Sequence, residues 1–231
     1  MMKKTLTVIV FALALTSCKQ QKNEYQKENI MAQNTTETTP FAENGKTALV
    51  IIDIQNDYFP GGTMELVSAD EKAQNATKML SYFRDNDMPV IHVKHIALQD
   101  GATFFLPNTK GAEIHKSVTP LKTEKIITKN YPNSFRDTKL LDYLKENNIS
   151  NLVILGMMTD VCVDATTRAA MDYGFNNTII ADAVTTRDRE LNGKIIPAEQ
   201  VTESYLAGLN ALDGLYAKII TSKTYLQQEQ K

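Results

Sequence analysis

Six short apolar runs punctuate the chain: "TALVIIDI" at residues 47–54, "MPVIHVKH" at 88–95, "EKIITK" at 124–129, "NLVILG" at 151–156, "NTIIAD" at 177–182 and "YAKIITS" at 216–222. They are mostly continuous Val, Ile and Leu rather than alternating apolar and polar positions, the pattern of strands covered on both faces in a parallel sheet. Helical periodicity fills the gaps between them. In "SADEKAQNATKMLSYFRDN", Ser68 with Glu71 three residues on reads as a capping box, and "DTKLLDYLKENN" sets Leu140, Leu141 and Leu144 on one face. "DATTRAAMDYG" reaches Gly174, where a helix is expected to stop, and "PAEQVTESYLAGLNAL" opens with Pro197, suited to a first helical position. Alternation of strand and helix predicts a three-layer α/β fold.

The pattern changes before residue 46. Lys3 and Lys4 precede an apolar run from about residue 6 to residue 15, too short to span a bilayer as a helix. A basic start, an apolar stretch and a small-residue end mark an export peptide. Its ending, "LTSC", resembles a bacterial lipoprotein signal, in which the cysteine, here Cys18, is lipidated and becomes the first residue of the mature chain. The expectation is therefore a signal over residues 1–17 and an exported protein held by lipid to a bacterial membrane. Residues 18–45 are rich in Gln, Asn, Thr, Glu and Lys and too poor in apolar side chains to build a core, which predicts a flexible tether. Residues 46–225 have the size of one ordinary domain, followed by a polar tail at 226–231.

Composition narrows the partners. The formal net charge is −2 and no basic cluster occurs, which argues against nucleic acid. There are two cysteines. With Cys18 carrying lipid, Cys162 is a lone thiol outside the cytoplasm, and an odd cysteine there points to a reactive thiol or an intermolecular bridge. A zinc site built on several cysteines is excluded.

In open parallel sheets ligands gather outside the carboxyl ends of the strands. Asp53 ends the first run, Lys129 ends the third, and Cys162 follows the fourth near the start of a helix. A carboxylate, an ammonium and a thiol are thus expected along one edge of the sheet. Each also has a plainer reading: a turn cap, a solvated strand end, a buried apolar filler.

Three stretches, "LVIIDIQNDYFPGG", "ITKNYPNSF" and "LGMMTDVCVDATTRAAMDYG", resemble in order and context the signatures of the isochorismatase-like cysteine hydrolases. The resemblance covers nearly the whole domain and implies a six-stranded, mainly parallel sheet between helices, Rossmann-like in its layering. It implies a catalytic set of Asp53, Lys129 and Cys162, with the backbone amides of Met158 and Cys162 as oxyanion donors and a cis peptide before Met158. The thiol is expected to be ionised by the helix N-terminus and Lys129. Asp53 would take its proton and pass it to the leaving nitrogen. A homo-oligomer is also implied.

Nicotinamidases of this family hold zinc with an Asp and two His after the second strand. Here "VIHVKHIALQDGATFF" has no Asp-x-His, and His92 and His95, three apart on a strand, point to opposite faces. No metal and no other cofactor is expected. His92 reads as a sheet residue, His95 equally as a pocket residue or a core histidine, and His115 as a surface or loop anchor. Tyr58 and Phe59 are expected to form one pocket wall. Phe104 and Phe105 belong to a long loop at 97–113 that reads equally as a pocket wall or lid and as a packing surface. Asn133, Ser134 and Phe135 are expected to order Lys129, and Arg168 to pair with Asp164. The reading that results is a cysteine-nucleophile hydrolase of C–N bonds in a small-molecule amide. Its rivals are a non-catalytic binding protein of the same fold and a metal-dependent nicotinamidase.

Overall fold

The computed structural model describes residues 45–228. The expected signal, Cys18, all but the last residue of the tether and the end of the polar tail lie outside the described residues. All six apolar runs are strands: β1 (Lys46–Ile52), β2 (Val90–His95), β3 (Lys125–Lys129), β4 (Ile149–Met157), β5 (Asn176–Thr185) and, after a hairpin of β6 (Arg189–Leu191) and β7 (Lys194–Ile196), β8 (Lys218–Ile220). They form one sheet of order β3-β2-β1-β4-β5-β8 in which every neighbouring pair is parallel.

The longer helices are α1 (Ala69–Asp85), α2 (Leu140–Glu146), α3 (Asp164–Asp172), α4 (Ala198–Leu209) and α5 (Ser222–Gln228). Alternate residues of β1 divide between two cores. Leu49 and Ile51 join Met79, Leu80 and Phe83 of α1 and Tyr225 of α5. Ala48, Val50 and Ile52 join Leu140 and Leu144 of α2, Ala170 of α3 and Leu209 of α4. Both faces of the sheet are therefore dry, which is why its strands are continuously apolar. The last helix runs through Gln228, past the expected boundary at 225.

Two local expectations need correction. Ser68 does occupy the N-cap position of α1, but with φ 54° and no side-chain cap bond, and Glu71 pairs instead with the adjacent Lys72. Pro197 is the N-cap of α4 rather than its first residue, and Asp188 Oδ1 accepts from the next amide, Ala198 N, at 2.8 Å.

β1 and β4 lie side by side although β2 follows β1 in sequence. The chain's connections diverge at that point, leaving a crevice at the strands' carboxyl ends. Gly156 makes the closeness possible: it pairs with Ile52 at φ 129°, and a Cβ there would fall 2.0 Å from the Ile52 carbonyl oxygen.

Candidate active site

Four strand ends supply the cluster. Asp53 follows β1 directly in a left-handed conformation, φ 51°, which Asp tolerates better than most residues. His95 and Lys129 are partners in the β2–β3 register, so their side chains stand next to each other. Cys162 follows β4, within a single wide turn, Thr159–Val163, that leads into α3. The Met157–Met158 peptide before that turn is cis, as the resemblance implied. The Met158 carbonyl accepts from the amides of Val161 and Val163, at 3.2 Å each, closing the turn on either side of the cysteine.

The Lys129 ammonium lies at the centre. It is 2.6 Å from Asp53 Oδ2, 2.9 Å from His95 Nδ1 and 3.2 Å from Cys162 Sγ. Asp53 is fully buried, Lys129 1% exposed and Cys162 4% exposed, so these contacts act with little screening by water. Beyond the ion contact, neither Asp53 oxygen has a well-directed hydrogen bond among the described residues. The three sequence-predicted catalytic residues are thus brought together.

Burial is the strongest influence on the Cys162 thiol and pushes it up; the Asp53 charge adds to the rise, and Lys129 opposes it without cancelling it. The expectation of a resting thiolate is therefore corrected. Desolvation dominates there. For Lys129, burial pulls the ammonium down, but Asp53 and then Cys162 outweigh it, so the group is raised and stays charged. Burial and the adjacent Lys129 charge bring His95 down to about 4, leaving a neutral ring.

A cavity of about 320 Å³ opens onto the thiol, lined by Tyr58, His95, Phe104, Phe105, Met158 and Val161 among others. Phe105 is a fixed wall: its amide donates to Asp57 Oδ2 at 2.7 Å, its carbonyl accepts from Ala97 N at 3.0 Å, and its ring lies 4.6 Å from Tyr58. Phe59 is not part of this wall. The turn at Asn56–Tyr58 sends it the other way, to stack on His115 at 3.6 Å, which makes His115 the loop anchor. Asn133, Ser134 and Phe135 do not order Lys129 either. Ser134 bonds Thr166 of α3 and Phe135 packs against Tyr173 and Phe175. Arg168 pairs with Asp164 at 2.9 Å, as expected.

One group escaped the sequence reading. Asp160, in the turn that carries Cys162, accepts from Arg189 Nε at 2.6 Å and from Thr186 Oγ1 at 2.5 Å, and Arg189 Nη2 also reaches the Met158 sulfur at 3.4 Å. The hairpin strand β6 is thereby tied to the turn that carries Cys162. Nothing in the spacing of "TTRDRE" marks Arg189 for this, because the tie depends on how β5 ends against the turn.

Metal ligation fits poorly. Ligand atoms of Asp53, His95 and Cys162 lie within 4.8 Å of one another, but the Lys129 ammonium contacts all three and occupies the place a cation would take. His92 faces away and pairs with Glu124 at 2.9 Å.

The fold is a six-stranded parallel α/β sheet with a buried thiol at its switch point. Residues 47–221 match the isochorismatase domain, and the chain belongs to the isochorismatase family of hydrolases. It is 46% identical over 181 residues to the isochorismatase family protein YddQ of Bacillus subtilis, covering 78% of this chain and 99% of that one. It is 30% identical over 141 residues to a streptothricin hydrolase of Streptomyces noursei, covering 61% of this chain and 55% of that one. An isochorismatase-family structure from Oleispira antarctica superposes with a TM-score of 0.75 at 39% identity, over 81% of this chain and 99% of that one.

Proposed function

We propose that the protein hydrolyses a C–N bond in a small amide, lactam or ureido compound through an acyl-thioester on Cys162, without metal. The observation that supports this most is the dry contact of Lys129 with both Asp53 and Cys162, at 2.6 and 3.2 Å. With burial pushing the thiol up, the Asp53 carboxylate removes its proton as the sulfur attacks the carbonyl carbon. The amides of Met158 and Cys162 receive the developing oxyanion. Protonated Asp53 then gives its proton to the nitrogen, the C–N bond breaks, and the amine departs. Asp53 next takes a proton from water, whose oxygen attacks the thioester. The C–S bond breaks, the thiolate recovers the proton from Asp53, and the acid leaves. Lys129 remains charged throughout and offsets the negative charge that moves between carboxylate and sulfur.

Supporting the choice of C–N bonds are the cysteine itself and the similarity to proteins named streptothricin hydrolase and nicotinamidase. The test is a panel of small amides, lactams and ureido compounds offered to the reduced protein. Release of amine or ammonia from at least one supports the reading; a panel left untouched contradicts it.

We also propose that the protein is exported and anchored through a lipid on Cys18, on the strength of "LTSC" after an apolar run, and that it assembles as a homo-oligomer. Incorporation of a labelled fatty acid that is lost on Cys18→Ala tests the first, and light scattering of the purified chain tests the second.

A further inference from the structure

An ammonium carries three protons and no acceptor. Lys129 has three acceptors around it, Asp53 Oδ2, His95 Nδ1 and Cys162 Sγ, at 2.6, 2.9 and 3.2 Å. His95 Nδ1 must accept, so a neutral ring carries its proton on Nε2. That nitrogen has no hydrogen-bond partner among the described residues, and the ring lines the cavity beside Cys162. Around it, Phe105 stands 6.0 Å away and no Asp, Glu, Lys or Arg lines the cavity.

We propose that His95 is a substrate-contacting residue whose Nε2–H, fixed in that tautomer by Lys129, selects uncharged amides bearing an acceptor atom beside the scissile carbonyl. Its role in turnover rests on the hydrolase reading above; its tautomer does not. The acceptor is an ether or carbonyl oxygen or a ring nitrogen. A charged substituent at that place would be desolvated in a cavity whose lining offers no charged side chain as counter-ion. One neutral hydrogen bond of this kind corresponds to about a tenfold preference in binding.

Two measurements test this on the full chain. In the first, imidazole nitrogens are labelled and His95 is assigned by its loss in His95→Asn. The expected spectrum at pH 7 shows a neutral ring protonated on Nε2; a ring protonated on Nδ1, or on both nitrogens, overturns the proposal. In the second, tetrahydropyran-2-carboxamide and cyclohexanecarboxamide, which differ by one ether oxygen, compete with iodoacetamide for Cys162. The oxygen-bearing amide is expected to protect about tenfold better in the native protein and no better in His95→Asn, whose side-chain oxygen still accepts from Lys129 but which lacks the distal N–H. Equal protection in the native protein, or a preference that survives in His95→Asn, overturns it. If the spectrum and the protection ratio come out as expected while no amide is hydrolysed, the hydrolase reading fails and the His95 assignment stands.

Discussion

Lys129 Nζ and Asp53 Oδ2 stand 2.6 Å apart with both side chains fully shielded from water, so neither charge has a substitute partner in solvent. Removing one partner of such a pair leaves a buried, uncompensated charge, which typically costs about 3–5 kcal/mol. Lys129→Met is therefore expected to lower the urea midpoint strongly, and adding Asp53→Asn to it is expected to restore much of the loss. Urea titrations of the two variants check this; a single variant as stable as the native chain contradicts it.

Asp53 raises the Cys162 thiol, and in the proposed mechanism it also serves as the thiol's base. Asp53→Asn should consequently separate reactivity from turnover: iodoacetamide labels the thiol faster at pH 8, while amide hydrolysis disappears. In the native chain burial keeps the thiolate scarce, so labelling should rise about tenfold per pH unit between pH 7 and 9, following the fraction ionised. A labelling rate that levels off near pH 6 is the opposite result.

His92 and His95 are both held below the ordinary histidine value of 6.5, His92 by burial and His95 by burial and Lys129, down to about 4. The unfolded chain then takes up protons before the folded one does. The stability these neutral rings contribute is complete above about pH 6.5 and is lost as the pH falls, for His95 through about 4. Unfolding free energy should fall as the pH drops below 6.5, for His95 by at most about 1.4 kcal/mol per pH unit, and His95→Asn should remove that share. Denaturant melts at pH 7, 6 and 5 measure the slope.

Asp160 is held below the usual carboxylate range; burial raises it, but the bonds from Arg189 and Thr186 outweigh that. Since this clamp spans the turn between Met158 and Cys162, Arg189→Met is expected to lower kcat by about tenfold to a hundredfold with a smaller change in KM, the mark of a misplaced transition-state contact. A change confined to KM instead places Arg189 in ordinary substrate binding.

The parallel sheet and its flanking helices were legible because two-sided burial writes itself as unbroken Val, Ile and Leu in each strand. Asp53, Lys129 and Cys162 were legible for a related reason: in a parallel sheet every strand's end lies along the same edge, so position along the chain maps onto position in space. The ionisation of Cys162 was not, because it depends on how deeply the thiol is desolvated, which spacing does not report. Phe59 was assigned to the wrong wall because a single tight turn at Asn56–Tyr58 reverses its direction. The sequence reads His95 equally as pocket or core, because its pairing with Lys129 needs the β2–β3 register, and Arg189 needs the path of the β6 hairpin.

The central claim is that the Cys162 sulfur takes the acyl group, and intact-mass measurement after rapid acid quench of a turnover mixture addresses it most directly. The account predicts a species heavier by the substrate's acyl group, located on the peptide containing Cys162, with neither adduct nor turnover in Cys162→Ala. Hydrolysis at the native rate by Cys162→Ala would contradict it.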